Sequence, residues 1–376
     1  MSRLSSAIMI CALASLIGFT RATSYASDGP QGRKEKGVPV VRNSRKPVRV
    51  PGRPDRILLA DELTIGRDED KNCQFSELRS VQADSEGHIY AIDGRECTIK
   101  VFDPEGRFLR TIGRKGQGPG ELTFPSRIIL TPQDELVVLD PGNRRLSFFK
   151  RDGTLLRELS TAKWSFLRFR AGGRGEIYAD HAAASEQGGA ALNLTKFSPD
   201  LSAATIIATE PRAMEPNRIN AFPPGFVHGV TRDGGLVWAL DSRYEITIVG
   251  PDGKARLKIF KDPEPNPIRE EDRKAIIEED YKGLPAGLAL DIPSHYPPIR
   301  TLVVADTDHI FVRTYVKDGQ GGFIHDVFDP EGRFVAQFPL GGEEFTMMAR
   351  DGKLYTLVRE DAEGIPLVKR YGIVWK

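Results

Sequence analysis

Residues Phe75 to Leu159 read FSELRSVQADSEGHIYAIDGRECTIKVFDPEGRFLRTIGRKGQGPGELTFPSRIILTPQDELVVLDPGNRRLSFFKRDGTLLREL. One unit occurs twice in this stretch. Each copy has an apolar strand, a polar turn, a strand ending in Asp, a loop, and a hairpin closed by a Gly turn. The chain beyond repeats the unit with insertions. A turn followed by a β-rich strand appears as Gly87-His88-Ile89-Tyr90, Glu135-Leu136-Val137-Val138, Gly175-Glu176-Ile177-Tyr178, Gly235-Leu236-Val237-Trp238, Asp308-His309-Ile310-Phe311 and Gly352-Lys353-Leu354-Tyr355. Successive copies are 47, 41, 59, 74 and 44 residues apart. The short spacings are those of a four-stranded blade, and the two long ones require insertions.

A second marker is the outer hairpin turn. Phe102-Asp103-Pro104-Glu105-Gly106-Arg107-Phe108 recurs unchanged as Phe328-Asp329-Pro330-Glu331-Gly332-Arg333-Phe334. Asp and Pro start such a turn, and Gly takes the positive φ that closes it. The two markers divide the chain into blades at 75–113, 124–159, 165–210, 222–262, 296–340 and 345–376. The last unit lacks a fourth strand, which would leave an unpaired edge. Arg56 to Ile65 is β-like and has no partner nearby, so it is expected to supply that strand and close the ring. The fold expected is all-β: a six-bladed β-propeller over 55–376, its last blade completed by an N-terminal strand.

The spacer Gly113-Arg114-Lys115-Gly116-Gln117-Gly118-Pro119-Gly120-Glu121 is glycine-rich, but no helix follows to hold a phosphate at its N-terminus. It reads as a crossing between blades. The pattern Ile112-Gly113…Gly116…Gly118-Pro119-Gly120-Glu121-Leu122…Phe124-Pro125, then Asp140…Asn143-Arg144-Arg145-Leu146, resembles the NHL-repeat six-bladed propellers, in particular exported bacterial ones. The likeness is clearest in blades one and two, and faint in three and six. It implies the fold. It implies function only broadly, because such propellers include scaffolds, sensor domains and enzymes.

Residues 1–26 read as a signal peptide: Arg3, an apolar run from Ala7 to Phe19, and Ser24-Tyr25-Ala26 as the cleavage site. The run is too short to span a bilayer, and no later stretch is apolar for ~18 residues. An exported chain, periplasmic or extracellular and without a transmembrane span when mature, is expected. Residues 27–54 are expected to be a disordered basic linker, since 27–56 carry a net charge of +6 against −7 for 57–376. The acidic body argues against nucleic acid as a partner.

Chain direction places the loops between second and third strands, and the crossings between blades, at one end of the ring, the top. The tight turns fall at the bottom. Two top crossings are enlarged: Ala208 to Pro224, and Asp262 to Pro298. In the second, Asn266 as N-cap and Pro267 at the first position predict a helix over Arg269 to Tyr281, a candidate lid. With long loops in blades three and five, this marks blades three to five as the site of a pocket.

Three histidines fall near the top, His181, His228 and His295. Propellers similar to the amidating lyases hold a metal with three inner histidines, and although the spacing and flanking residues here do not match that family's, these three are a candidate metal set, with zinc or calcium as the ion. Asp93, Asp140, Asp180 and Asp241 end second strands and are expected to cap backbone N–H groups of the loops that follow. Arg95, Arg144 and Arg243, in those loops, are candidate ligand-binding groups. Cys73 and Cys97 are expected to pair as a disulfide in an oxidising compartment. The leading expectation is a cofactor-free, monomeric binding or scaffold propeller for a protein, peptide or glycan of the cell envelope. The second is a metal-dependent lyase or lactone hydrolase with an axial pocket.

Overall fold

The computed structural model describes residues 33–35, 37–184, 189–212, 217–285 and 287–376. The signal-peptide expectation lies outside them. Six antiparallel sheets stand around an axis. Blade one is Leu78–Ala83, Ile89–Asp93, Thr98–Phe102 and Phe108–Ile112, in that order from the axis outward. Blade two is Arg127–Leu130, Leu136–Asp140, Arg145–Phe149 and Leu155–Ser160, and blade three is Phe166–Ala171, Ile177–Ala184, Ala190–Phe197 and Ala204–Arg212. Blade four is Phe226–Val230, Leu236–Leu240, Glu245–Val249 and Ala255–Lys261, and blade five is Thr301–Val304, Ile310–Lys317, Phe323–Phe328 and Phe334–Leu340. Blade six is Glu344–Arg350, Lys353–Val358 and Leu367–Trp375, completed by Ile57–Ile65.

The second strands are buried on both faces because a blade is packed by neighbours on either side. Ile89–Asp93 and Leu136–Asp140 are buried at every position, and both read as unbroken apolar runs ending in Asp. The core lies between blades as separate apolar clusters. Ile65, Leu78, Val81, Phe102, Tyr355 and Val368 fill the space between blades six and one. Ile129, Val137, Phe148, Phe169, Ile177 and Phe197 fill that between two and three.

The repeated turn behaves as its residues dictate. Asp103 Oδ1 accepts from the N–H groups of Glu105 (3.0 Å) and Arg107 (2.9 Å), and Gly106 sits at φ +84°. A side chain at Gly106 would also strike Leu63, 2.7 Å from its Cβ. Asp329 makes the same bond to Arg333 N–H at 2.8 Å, and Gly332 sits at φ +82°.

Ring closure uses the expected segment as the outer strand of blade six. Val368 opposes Ile65 and Trp375 opposes Ile57, antiparallel. The linker expectation is corrected over its described residues, 33–35 and 37 onward. Val38–Asn43 is a strand that adds in parallel to the outer edge of blade four, Val40 opposite Lys258 and Asn43 opposite Lys261. Arg33–Glu35 pairs with it in turn. The cause is an open edge: the outermost strand of a blade offers unpaired N–H and C=O groups, and Val38-Pro39-Val40-Val41 can meet them while burying Val40. Asn43 then plugs the seam to blade five. Its Nδ2 donates to Gly332 O (3.0 Å) and Phe260 O (3.2 Å), and its Oδ1 accepts from Phe334 N–H (2.8 Å).

The helix is Glu270–Glu279, with Arg269 rather than Asn266 as its N-cap residue. Asp272 Oδ2 accepts from Arg269 N–H at 2.9 Å, which satisfies a first-turn donor that Asn266 is too far upstream to reach. Among the described residues no helix is long and apolar enough to cross a membrane.

Candidate functional site

The top of the ring between blades four and five holds a cavity of about 430 Å³. Its walls come from the elements that chain direction assigned to that end. Ser242 and Arg243 belong to the loop after the second strand of blade four, and Thr314 to Val316 to the end of that strand in blade five. The remaining wall is the enlarged crossing, through Pro263 to Asn266 and His295 to Pro298. The helix does not line it. Arg273 ties the helix to its own crossing by donating to Ile292 O and Pro293 O, both at 3.0 Å, and Tyr281 Oη donates to Ala221 O at 3.1 Å. The two enlarged crossings are also stitched together by a parallel pair, Arg218–Asn220 with Ala289–Asp291. The insertion frames the mouth and is not a lid over it.

The floor of the cavity is charged, and its ion pair is buried. Lys261 Nζ lies 3.3 Å from Asp326 Oδ2, with both side chains almost fully buried. Tyr244 Oη donates to the same oxygen, and Gln337 Nε2 donates to Asp326 Oδ1 at 2.6 Å. Lys261 also lies over the rings of Tyr244 (5.0 Å) and Phe334 (4.8 Å). Burial, then the Asp326 charge, push the Tyr244 phenol well above its ordinary range, so it stays a donor at every physiological pH. The pair is thus fixed and neutral overall.

The upper wall is aromatic and rigid. Tyr296 and Tyr315 stack at 5.0 Å with 12° between planes, Phe222 meets both edge-on, and Arg300 sits over Tyr315 at 5.3 Å. Four prolines, Pro263, Pro265, Pro297 and Pro298, stiffen the rim. Asn266 Nδ2 is buried in the lining and has no hydrogen-bond partner among the described residues. A cavity with a flat aromatic wall, a polar floor and an unsatisfied donor suits an uncharged or weakly polar ligand held by stacking and a few hydrogen bonds.

Of the candidate arginines, only Arg243 reaches this place. It also borders a second cavity of about 220 Å³ between blades three and four, with Phe226, Trp238 and Glu245. Arg95 and Arg144 occupy the matching loops of blades one and two, exposed and away from either cavity.

The three histidines do not converge. His181 is on a strand rather than in a loop, opposite Phe166 and Asn193. Its ring nitrogens are within 3.0 Å of Thr195 Oγ1 and 3.2 Å of Ala182 O, and Trp164 and Phe197 pack on it. His228, on the inner strand of blade four, bonds Asp180 Oδ1 at 3.3 Å, and burial pushes its pKa down to about 4. His295 is exposed on the cavity rim beside Ser294 Oγ. Among the described residues no three His, Cys, Asp or Glu side chains are placed to hold a metal.

The disulfide is likewise corrected. Cys73 and Cys97 are both free and buried. Cys73 packs between blades six and one, whereas Cys97 Sγ faces the next crossing, 3.1 Å from Thr123 O. Lying near one end of a blade did not bring the two sulfurs onto one side of it.

Asp93, Asp140 and Asp241 do cap backbone, though mainly of the crossing that precedes their blade, whereas Asp180 lies within its strand and takes the His228 and Arg168 side chains instead. Asp140 accepts from Thr123 N–H (2.9 Å) and Phe124 N–H (2.8 Å), and Asp93 from Ser76 N–H (2.7 Å) and Glu77 N–H (3.2 Å). Asn143 Nδ2 adds a bond to Gly116 O (3.0 Å) and Arg145 one to Gly118 O (2.7 Å). The NHL-like motif is therefore one physical unit: a glycine-rich crossing latched by the loop of the blade it enters.

Sequence reasoning missed Lys261, Tyr244, Asp326, Tyr296 and Tyr315. Asp326 lies in the third strand of blade five, Phe323–Phe328. The signal available was its place inside an apolar run, where a carboxylate needs a partner.

A family model described as a 6-bladed beta-propeller (DUF5128) matches residues 69–175, covering blades one and two where the repeat is most regular. No curated protein matches the chain. Among solved structures, a Bacteroides fragilis protein called an exported protein is similar at 12% identity and a TM-score of 0.51, over 89% of this chain and 99% of that one. A member of the DUF4221 family from Bacteroides vulgatus is similar at 13% identity and a TM-score of 0.52, over 86% and 100%. Virginiamycin B lyase from Staphylococcus aureus is similar at 9% identity and a TM-score of 0.47, over 85% and 100%. At these identities the likeness is one of fold, and the fold is that of a six-bladed β-propeller.

Proposed function

We propose that the protein is an exported binding propeller of the cell envelope, acting as a monomer without a cofactor. Its top face between blades four and five receives a segment of a glycan or peptide. The observation that carries this is the cavity of about 430 Å³, with the stacked Tyr296–Tyr315 wall above a self-neutralised Lys261–Asp326 floor. Stacked rings hold flat apolar faces, such as the face of a sugar ring or a proline, at little entropic cost. The buried Asn266 amide gains its missing partner when an acceptor on the ligand arrives. Arg243 at the border with the neighbouring cavity lets the ligand extend toward blade three.

The bottom of the ring supports this reading less well. A depression of about 600 Å³ lies there between blades one and two. Several of its charged groups already pair with one another, as in Arg151–Glu86 at 2.7 Å and His88–Asp84 at 3.1 Å.

The test is calorimetric titration of the mature protein with envelope glycan fragments and short peptides. Tyr315→Ala is expected to weaken a binder roughly tenfold or more, as loss of an aromatic anchor does. Arg95→Ala, on the same face but away from the cavity, should leave binding unchanged. A ligand whose affinity ignores Tyr315→Ala and Arg243→Ala together would refute this site.

A further inference from the structure

The inner strands of blades two, three and four bring a second group of charges together at the axis. Arg127 opens the inner strand of blade two. Arg168 and Arg170 are two residues apart on that of blade three and so share one face. Arg168 reaches across to blade four, donating to Phe226 O at 2.8 Å, so that face looks toward His228. Arg127 feels the charges of Arg168 and Asp180, and Arg170 those of Arg127, Arg168 and Asp180.

Two carboxylates lie near the group, Asp180 and, beside Arg168, Asp241, and among the described residues neither makes a hydrogen bond or ion pair with Arg127 or Arg170. Asp180 already receives His228 Nε2 and stands 3.4 Å from Arg168. Arg170 is left with the carbonyl of its own neighbour, Phe169 O, at 2.8 Å. Arg127 has no hydrogen bond or ion pair among the described residues. Burial, followed by the neighbouring arginines, lowers the pKa of Arg127 to about 10 and that of Arg170 to about 9. Both values are still above neutral pH, so both groups remain cations. Two half-enclosed cations without counterions are costly as they stand, and the missing term is negative charge. Guanidinium forks match the paired oxygens of phosphate and carboxylate groups.

We propose that Arg127, Arg168 and Arg170 form an oxyanion site at the axis of the ring, taking the phosphate or carboxylate group of a small ligand. None of the three lines the top cavity, so this site stands or falls independently of the one between blades four and five.

The test is thermal unfolding of the mature protein at constant ionic strength, with sodium chloride replaced stepwise by inorganic phosphate, phenyl phosphate or succinate. Tm is expected to rise with at least one of them, because an anion that binds only the folded state stabilises it. A rise with phosphate alone identifies the free ion. A stronger rise with phenyl phosphate identifies a phosphate ester, and one with succinate a carboxylate. Arg127→Gln and Arg170→Gln should each weaken the response roughly tenfold or more. Arg127→Gln in chloride should be as stable as the parent or more so, since an unpaired cation has been removed. Arg127→Lys, which keeps the charge but not the fork, should respond only in part. Equal Tm in all four salts would overturn the proposal. So would an unchanged response in Arg127→Gln and Arg170→Gln, or an Arg127→Gln protein less stable than the parent in chloride.

Discussion

Asp241 ends the second strand of blade four as Asp93 and Asp140 end theirs, but its surroundings give it less. It accepts one hydrogen bond, from Gly225 N–H at 2.9 Å. Burial raises its pKa to about 6 against an ordinary 3.8, with the Gly225 bond and then Arg168 pulling the other way. The folded chain therefore holds this proton more tightly than the unfolded chain. The cost of the charged form is felt in full above about pH 6 and fades as pH falls toward 4. Asp241→Asn keeps an acceptor for Gly225 and removes the charge. It should stabilise the protein by about 3 kcal/mol near pH 7 and by only a few tenths near pH 4 in urea unfolding. His228 gives the parent protein the opposite slope, since its pKa is lowered to about 4 and stability is lost as pH falls below 6.5. Only the difference between variant and parent isolates Asp241. A variant equally stabilised at both pH values would contradict the assignment. The aspartates were legible as a repeat. The difference between Asp241 and Asp140 was not, because it depends on how many N–H groups each crossing turns toward the carboxylate.

Among the elements, the strand Val38–Asn43 was the least legible. A run of Lys and Arg suggested a solvated tail, and the four residues Val38 to Val41 carried too weak a period to override that. What decides it is a partner far away in the chain, the outer edge of blade four. Asn43 is the fastening. Asn43→Ala removes two donated bonds and leaves the buried Phe334 N–H without its acceptor. The expected loss is about 2–3 kcal/mol, with no change in circular dichroism of the folded state. A loss below about 0.5 kcal/mol would mean that the strand contributes nothing to stability. The helix was legible in place but not in role. REEDRKAIIEEDY marks a helix by composition, whereas its docking depends on the carbonyls of Ile292 and Pro293, which no local pattern announces.

At the scale of the whole molecule, the repeat spacing and the orphan segment at 56–65 made six blades and their closure readable in advance. Direction of the chain then told which loops share a face. That is why Arg243 and His295 could be placed near the cavity while its floor could not. Lys261 and Asp326 come from strands of two blades and Tyr244 from the loop before the third strand of blade four, and they meet only after the ring is assembled. The central claim is that the assembled ring works through its top, between blades four and five. It is tested most directly by placing a photo-crosslinking residue at Tyr296 on the cavity wall and, separately, at His88 on the opposite end, in the protein in its own cells. The account predicts a discrete adduct from position 296 that disappears with Tyr315→Ala, and none from position 88. Adducts from position 88 alone, or an adduct at 296 indifferent to Tyr315→Ala, would contradict it.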